Sequence, residues 1–151
     1  MDRVALWIPL AVGLVATAFT VVVHAAAVAA NLRFVRHERA LGRMGVAFWI
    51  DVQIVSTAVM MALLAHLIEI ALWAEIFIGC GEFRDLGLAF YHSAMNYTTL
   101  GYGDIVMSPA WKMLGPIEAA DGMLMFGVST AMIFAVIHRL VQIRFPDLLR
   151  P

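Results

Sequence analysis

The chain of 151 residues carries a formal net charge of −1, with 63% apolar and only 14% charged residues. Those proportions exclude an ordinary soluble domain and mark a membrane protein. No basic cluster is large enough to suggest a nucleic-acid partner, and none is expected. A lone cysteine, Cys80, forbids an intrachain disulfide and leaves intersubunit pairing or a free thiol open.

Residues 4 to 30 are apolar apart from Thr17, Thr20 and His24, enough for a membrane-spanning helix. The stretch Ala25-Ala26-Ala27-Val28-Ala29-Ala30 offers small-residue signal-cleavage sites. Against cleavage, the apolar run outlasts a signal h-region, and Asp2 beside Arg3 is no basic leader. A retained first helix is therefore expected, with residues 1–45 forming that helix and a loop. Thr17, Thr20, His24 and Asn31 share one helical face. Asn31 to Arg43 contains Arg33, Arg36, Arg39 and Arg43 and reads as a short cytoplasmic loop, which puts the amino terminus outside. Arginines spaced by three would suggest a voltage sensor only inside an apolar helix. Read as a loop, they do not.

A second apolar segment, 46–78, carries Asp51, Gln53, Ser56, Thr57, His66, Glu69 and Glu75. Ionisable groups in a spanning helix usually face protein or water. His66 and Glu69, three apart, share a face. A polar seam between helices is the plain expectation, with proton or metal sensing as the alternative, and His24 is expected to reach Asp51 or Ser56. Gly79 to Arg84 reads as an extracellular turret. Asp85 then offers an N-cap for a short helix over 86–97, whose aromatics Phe90, Tyr91 and Tyr97 are expected to pack around the loop that follows.

That loop is Thr98-Thr99-Leu100-Gly101-Tyr102-Gly103-Asp104. Pointing successive carbonyls toward one axis requires alternating right- and left-handed backbone, and glycine takes the left-handed form without steric cost. Gly101 and Gly103 supply the alternation. Thr99, Leu100, Gly101 and Tyr102 then offer four carbonyl layers, with the Thr99 hydroxyl as a further oxygen ligand. By average residue usage, G-Y-G-D arises by chance at roughly one position in 10^5. The stretch resembles the pore loop of potassium channels, whose filter reads TVGYG, with Leu100 where valine is usual. Met95 stands where some relatives carry an acid that pairs with the aspartate after the filter, here Asp104.

Ser108-Pro109 is a good helix start, and a long helix is expected over 109–140, with Pro116 as a kink or second start. The resemblance implies that this inner helix lines the cavity and forms the gate. Gly122 and Gly127 are candidate hinges, or positions of close helix packing. Ser129 and Thr130 are candidates to face a wet cavity. Glu118 and Asp121 share a face. Hydrogen bonding to the back of the pore helix, protonation of one of them, and, as the lesser alternative, direct attraction of cations are the readings open to them. His138, Arg139, Arg144 and Arg150 mark a second cytoplasmic edge, the last two within a short tail, 141–151, and no ligand-binding ring is expected.

The resemblance, to bacterial-type channels of the two-transmembrane, pore-loop family, covers residues 46–140 and implies a definite architecture. It gives an outer helix, a re-entrant pore helix, a selectivity-filter loop and an inner helix, closed as a homotetramer. With the additional first helix, which lies outside that two-helix pattern, the expected fold is an all-α membrane protein with three transmembrane helices. The resemblance also implies a bacterial inner-membrane setting, lipid contact, and no enzyme activity or cofactor. The implied function is passive potassium flux. The potassium ions would be held at Thr99, Leu100, Gly101, Tyr102 and Gly103, with Thr98, Asp104, Tyr91 and Tyr97 in support. Glu118, Asp121, His66 and Glu69 would act as polar modulators. Two other readings stand beside it: a non-conducting or weakly selective channel-like subunit, and a redox or metal-binding membrane protein using His24, His66 and His138.

Overall fold

A computed structural model describes residues 6–145. Four helices follow one another: α1 (Trp7–Ala40), α2 (Phe48–Gly79), α3 (Leu86–Tyr97) and α4 (Leu114–Arg144). The described residues contain no β-sheet; the irregular run from Thr99 to Gly103 is termed a strand only in the sense of an unpaired, non-helical segment. Three helices, α1, α2 and α4, are long and apolar enough to cross a membrane. At 1.5 Å per residue they run roughly 46–51 Å, longer than a hydrocarbon core of about 30 Å. Their outward residues include Leu14, Phe19, Val22, Leu124 and Phe134, all more than 60% exposed. Such a surface would aggregate in water and is at home in lipid. The chain is an all-α membrane protein.

Helix α1 corrects the arginine-loop expectation. Asn31 to Ala40 contains neither glycine nor proline, so nothing stops the helix until Gly42, whose φ is +66°. There the Gly42 N–H donates to the Arg39 carbonyl (3.0 Å) and the Arg43 N–H to the Glu38 carbonyl (3.1 Å), the two bonds of a Schellman closure. Arg33, Arg36 and Arg39 are therefore helical, and only Arg43 lies in the connection, bound to Glu38 at 3.0 Å. Helix α2 closes the same way, the Glu82 N–H donating to the Phe77 carbonyl at 3.1 Å. Asp2, Arg3 and Arg150 lie outside the described residues.

Helix α4 also begins later than expected, at Leu114 instead of 109. The Ser108 N–H and hydroxyl both donate to the Glu82 carboxylate, at 2.7 and 2.6 Å, which takes them away from any capping role. Its carbonyl accepts from Trp111 and Lys112, so Pro109 opens a turn and not the helix. Pro116 falls in the first turn of α4, where its missing N–H would have no helical partner anyway. It starts the helix rather than kinking it.

The chain divides into two compact units. Among the described residues, one comprises 6–24 with His66–Phe126, the other Ala25–Ala65 with 127–145. In the first, Trp73, Phe77, Tyr97 and Leu114 are fully buried with Ala74 and Ala89, around α3. In the second, Ile54, Ala62, Met132, Val136 and Leu140 form the core. There Asn31 Nδ2 donates to the Ala58 carbonyl at 3.1 Å. Asp51 accepts from the Gly45 N–H through one oxygen and from Arg144 through the other, both at 2.8 Å. Asp51 is thus committed elsewhere and is not the partner of His24.

This double use of Asp51 yields a graded expectation. Asp51→Ala should lower the thermal midpoint more than Arg144→Ala, because it frees both the N–H and the guanidinium, whereas Arg144→Ala leaves Gly45 bonded. Calorimetry on the detergent-solubilised variants would show it. Equal midpoints for the two would mean that the Gly45 bond contributes nothing.

Candidate functional site

The site is built on α3. Asp85 caps it as the sequence suggests, accepting from the Leu88 N–H at 2.8 Å. Ala89, His92, Ser93 and Tyr97 recur at helical spacing and make up its buried face. The helix ends at Thr98, whose hydroxyl donates back to the Ala94 carbonyl at 2.6 Å. The Thr99 N–H donates to Asn96 (2.8 Å) and the Gly101 N–H to Met95 (3.1 Å), so the outgoing strand is tied to the last turn of α3.

Along that strand φ is +60° at Thr99, +54° at Gly101 and +73° at Gly103. Every second residue is left-handed. The two glycines adopt this form at no steric cost, but Thr99 is β-branched and carries strain on the order of 1–3 kcal/mol. Alternating handedness turns successive carbonyls toward one side instead of opposite sides. Residues 98–104 are all exposed, Tyr102 by 69%. Asp104 accepts from the Tyr91 hydroxyl at 2.9 Å, which answers what partners it in a chain with Met95 at the acid position. That bond raises the Tyr91 phenol above its ordinary range, since ionisation would set a phenolate against a carboxylate.

Tyr97 lies elsewhere. It is fully buried, and its hydroxyl donates to Glu69 Oε2 while lying 3.1 Å from His66 Nδ1. His24 Nδ1 lies 2.9 Å from the other oxygen, Glu69 Oε1. The expected His66–Glu69 pair is present at 3.3 Å, and Glu69 takes the role assigned to Asp51 or Ser56 as the partner of His24. Ser93 Oγ stands 2.5 Å from Glu118 Oε1 and 2.8 Å from the Ile70 carbonyl. Asp121 Oδ2 accepts from Thr20 (2.7 Å) and from the Trp73 indole (2.9 Å). Glu118 thus binds α3 directly, whereas Asp121 bonds to α1 and α2.

Gly122 packs where the strand begins. A Cβ there would collide with the Tyr97 carbonyl oxygen and come within 3.1 Å of the Tyr97 ring. At Gly127 a Cβ would meet nothing. Ser129 is buried and Thr130 exposed. His138 lies 2.9 Å from Gln142 and is not part of the His24, His66 and Glu69 cluster. A hollow of about 370 Å³ behind the strand is lined by His92, Thr99, Asp104, Ile105 and Lys112 among others.

His92 adds a pH dependence. Burial among Phe77 and Phe83 pushes its imidazole below the ordinary value of 6.5. A base with a lowered folded pKa contributes stability above its unfolded pKa and loses it as pH falls through the folded one. The thermal midpoint should therefore drop on acidification below 6.5, and His92→Gln should flatten that limb of the profile. An unchanged acid limb in the variant would assign the loss to other groups.

Residues 61–139, just over half of the chain, match the family described as Ion channel. No curated protein matches the chain, and neither does any solved structure.

Proposed function

The chain belongs to the ion channel family, and from that premise we propose that it conducts potassium selectively, as a homotetramer in a bacterial inner membrane. The observation that carries this reading is the alternation of left-handed residues at Thr99, Gly101 and Gly103, directly after the carboxyl end of α3. Four such strands around one axis would stack the carbonyls of Thr99, Leu100, Gly101 and Tyr102 into rings. Oxygen rings of this kind replace the hydration shell of a large monovalent cation, and ions in neighbouring sites repel one another onward. The negative end of the α3 dipole favours a cation at the same place. In this reading the strand lies on the outer side, the Arg43 connection and the carboxyl end on the inner side. Tyr91 and Asp104 brace the outer end of the filter, Tyr97 and Gly122 its base, and Glu118 holds α3 through Ser93. No covalent chemistry or cofactor is required.

Cation binding tests the filter apart from gating. Detergent-solubilised tetramers, held in a buffer of a large organic cation, are titrated calorimetrically with potassium and then with sodium. Saturable binding of potassium with little heat from sodium is expected. Identical isotherms for the two ions would rule out a selective filter.

A further inference from the structure

We infer that His24, His66 and Glu69 form a binding site for a divalent transition-metal ion of the zinc class. The donors come from two helices, His24 from α1 and His66 with Glu69 from α2. One ligand atom from each lies within 4.8 Å of the other two. All three are buried, at 3%, 5% and 0% exposure. The two imidazole centroids are 5.1 Å apart, and both rings address the same carboxylate, one at each oxygen.

The donor set selects the class of ion. Two imidazole nitrogens and a carboxylate oxygen suit zinc, cobalt or nickel, whereas potassium, calcium and magnesium take oxygen alone. Tetrahedral zinc bonds of about 2.0–2.2 Å put donors roughly 3.4 Å apart, so the widest donor pair would close by up to about 1.4 Å through side-chain rotation. The Tyr97 hydroxyl, already on Glu69 and beside His66, is placed as fourth ligand or as outer support. Phe126 shields one side, its ring 4.4 Å from His66 and 5.6 Å from Tyr97. In such surroundings a dication balances a carboxylate that water cannot reach. The ion would tie α1 to α2 and hold the tyrosine that immediately precedes Thr98.

This inference does not rest on potassium conduction, and its test is read without any flux. Full-length protein without a polyhistidine tag is expressed in zinc-supplemented or cobalt-supplemented medium and purified in detergent, and metal per chain is measured by mass spectrometry. About one zinc per chain is expected, and the cobalt form should show the visible absorption of a low-coordinate cobalt site. His24→Ala and Glu69→Gln should each lower the retained metal at least about tenfold. His138→Gln, outside the cluster, should keep it. Wild-type protein free of metal from both media would overturn the assignment without reference to any variant. So would retention of metal by well-assembled His24→Ala protein.

Discussion

Gly122→Ala is expected to abolish potassium flux while leaving the protein helical and embedded in the membrane. The added methyl would run into the Tyr97 carbonyl oxygen and press on its ring. Neither neighbour can give way easily. The carbonyl belongs to the last turn of α3, and the ring is fully buried with its hydroxyl committed to Glu69. Overpacking of this kind costs about 1–3 kcal/mol per chain. The cheapest relief is to shift the end of α3, and Thr98 to Gly101 are bonded to that end through Ala94, Asn96 and Met95. The strain is therefore delivered to the strand. Gly127→Ala, where a Cβ meets nothing, is the matched control. Rates of flux in proteoliposomes decide the matter. Wild-type flux from Gly122→Ala would show that the base of the strand tolerates displacement.

Gly101→Ala should be as damaging for a different reason. At φ +54° an alanine pays roughly 1–2 kcal/mol for left-handed backbone. In a proposed ring of four identical strands that sums to about 4–8 kcal/mol, roughly three orders of magnitude or more in the population of the intact ring. Space is not the obstacle, since no atom lies within 4 Å of the added Cβ. The expected phenotype is thus an assembled protein with no selective flux, not a misfolded one. Replacing Gly101 by D-alanine, which favours positive φ, through semisynthesis should restore conduction. Failure of D-alanine together with failure of L-alanine would indicate that a side chain of either hand is excluded by a neighbouring chain.

How much could be read from the sequence followed from how local each determinant is. Long apolar runs specify spanning helices by length alone, and Asp85 caps α3 with a bond only three residues away. The two glycines announced the alternating strand because only their own backbone is at issue. Thr99 was not legible as a third left-handed residue. Its conformation is fixed by its place just after α3, against the ordinary preference of a β-branched side chain. Distant partners were equally hidden. His24 meets Glu69 across 45 residues, and Arg144 meets Asp51 across 93. The start of α4 was misplaced because Glu82, 26 residues earlier, claims the capping groups of Ser108. The charge of the arginine segment suggests a loop, although charge at the end of a helix does not unwind it when no glycine or proline intervenes.

These buried polar groups share one arrangement. Glu69, through Tyr97, and Glu118, through Ser93, both grip α3 from behind. Polar residues inside a spanning bundle are costly unless partnered. Here the partnering sets the position of the short helix that leads into Thr98 to Asp104. The same logic explains why the Tyr97 side chain is buried against Glu69, while Tyr91 on the exposed face serves Asp104.

The central claim is that the strand from Thr99 to Gly103 selects potassium. Its most direct measurement is ion flux into proteoliposomes driven by a potassium gradient, with and without barium, repeated with sodium in place of potassium. Barium-sensitive potassium flux far exceeding that of sodium is expected, and none from Gly101→Ala. Equal flux of the two ions, or potassium flux that persists in Gly101→Ala, would contradict it.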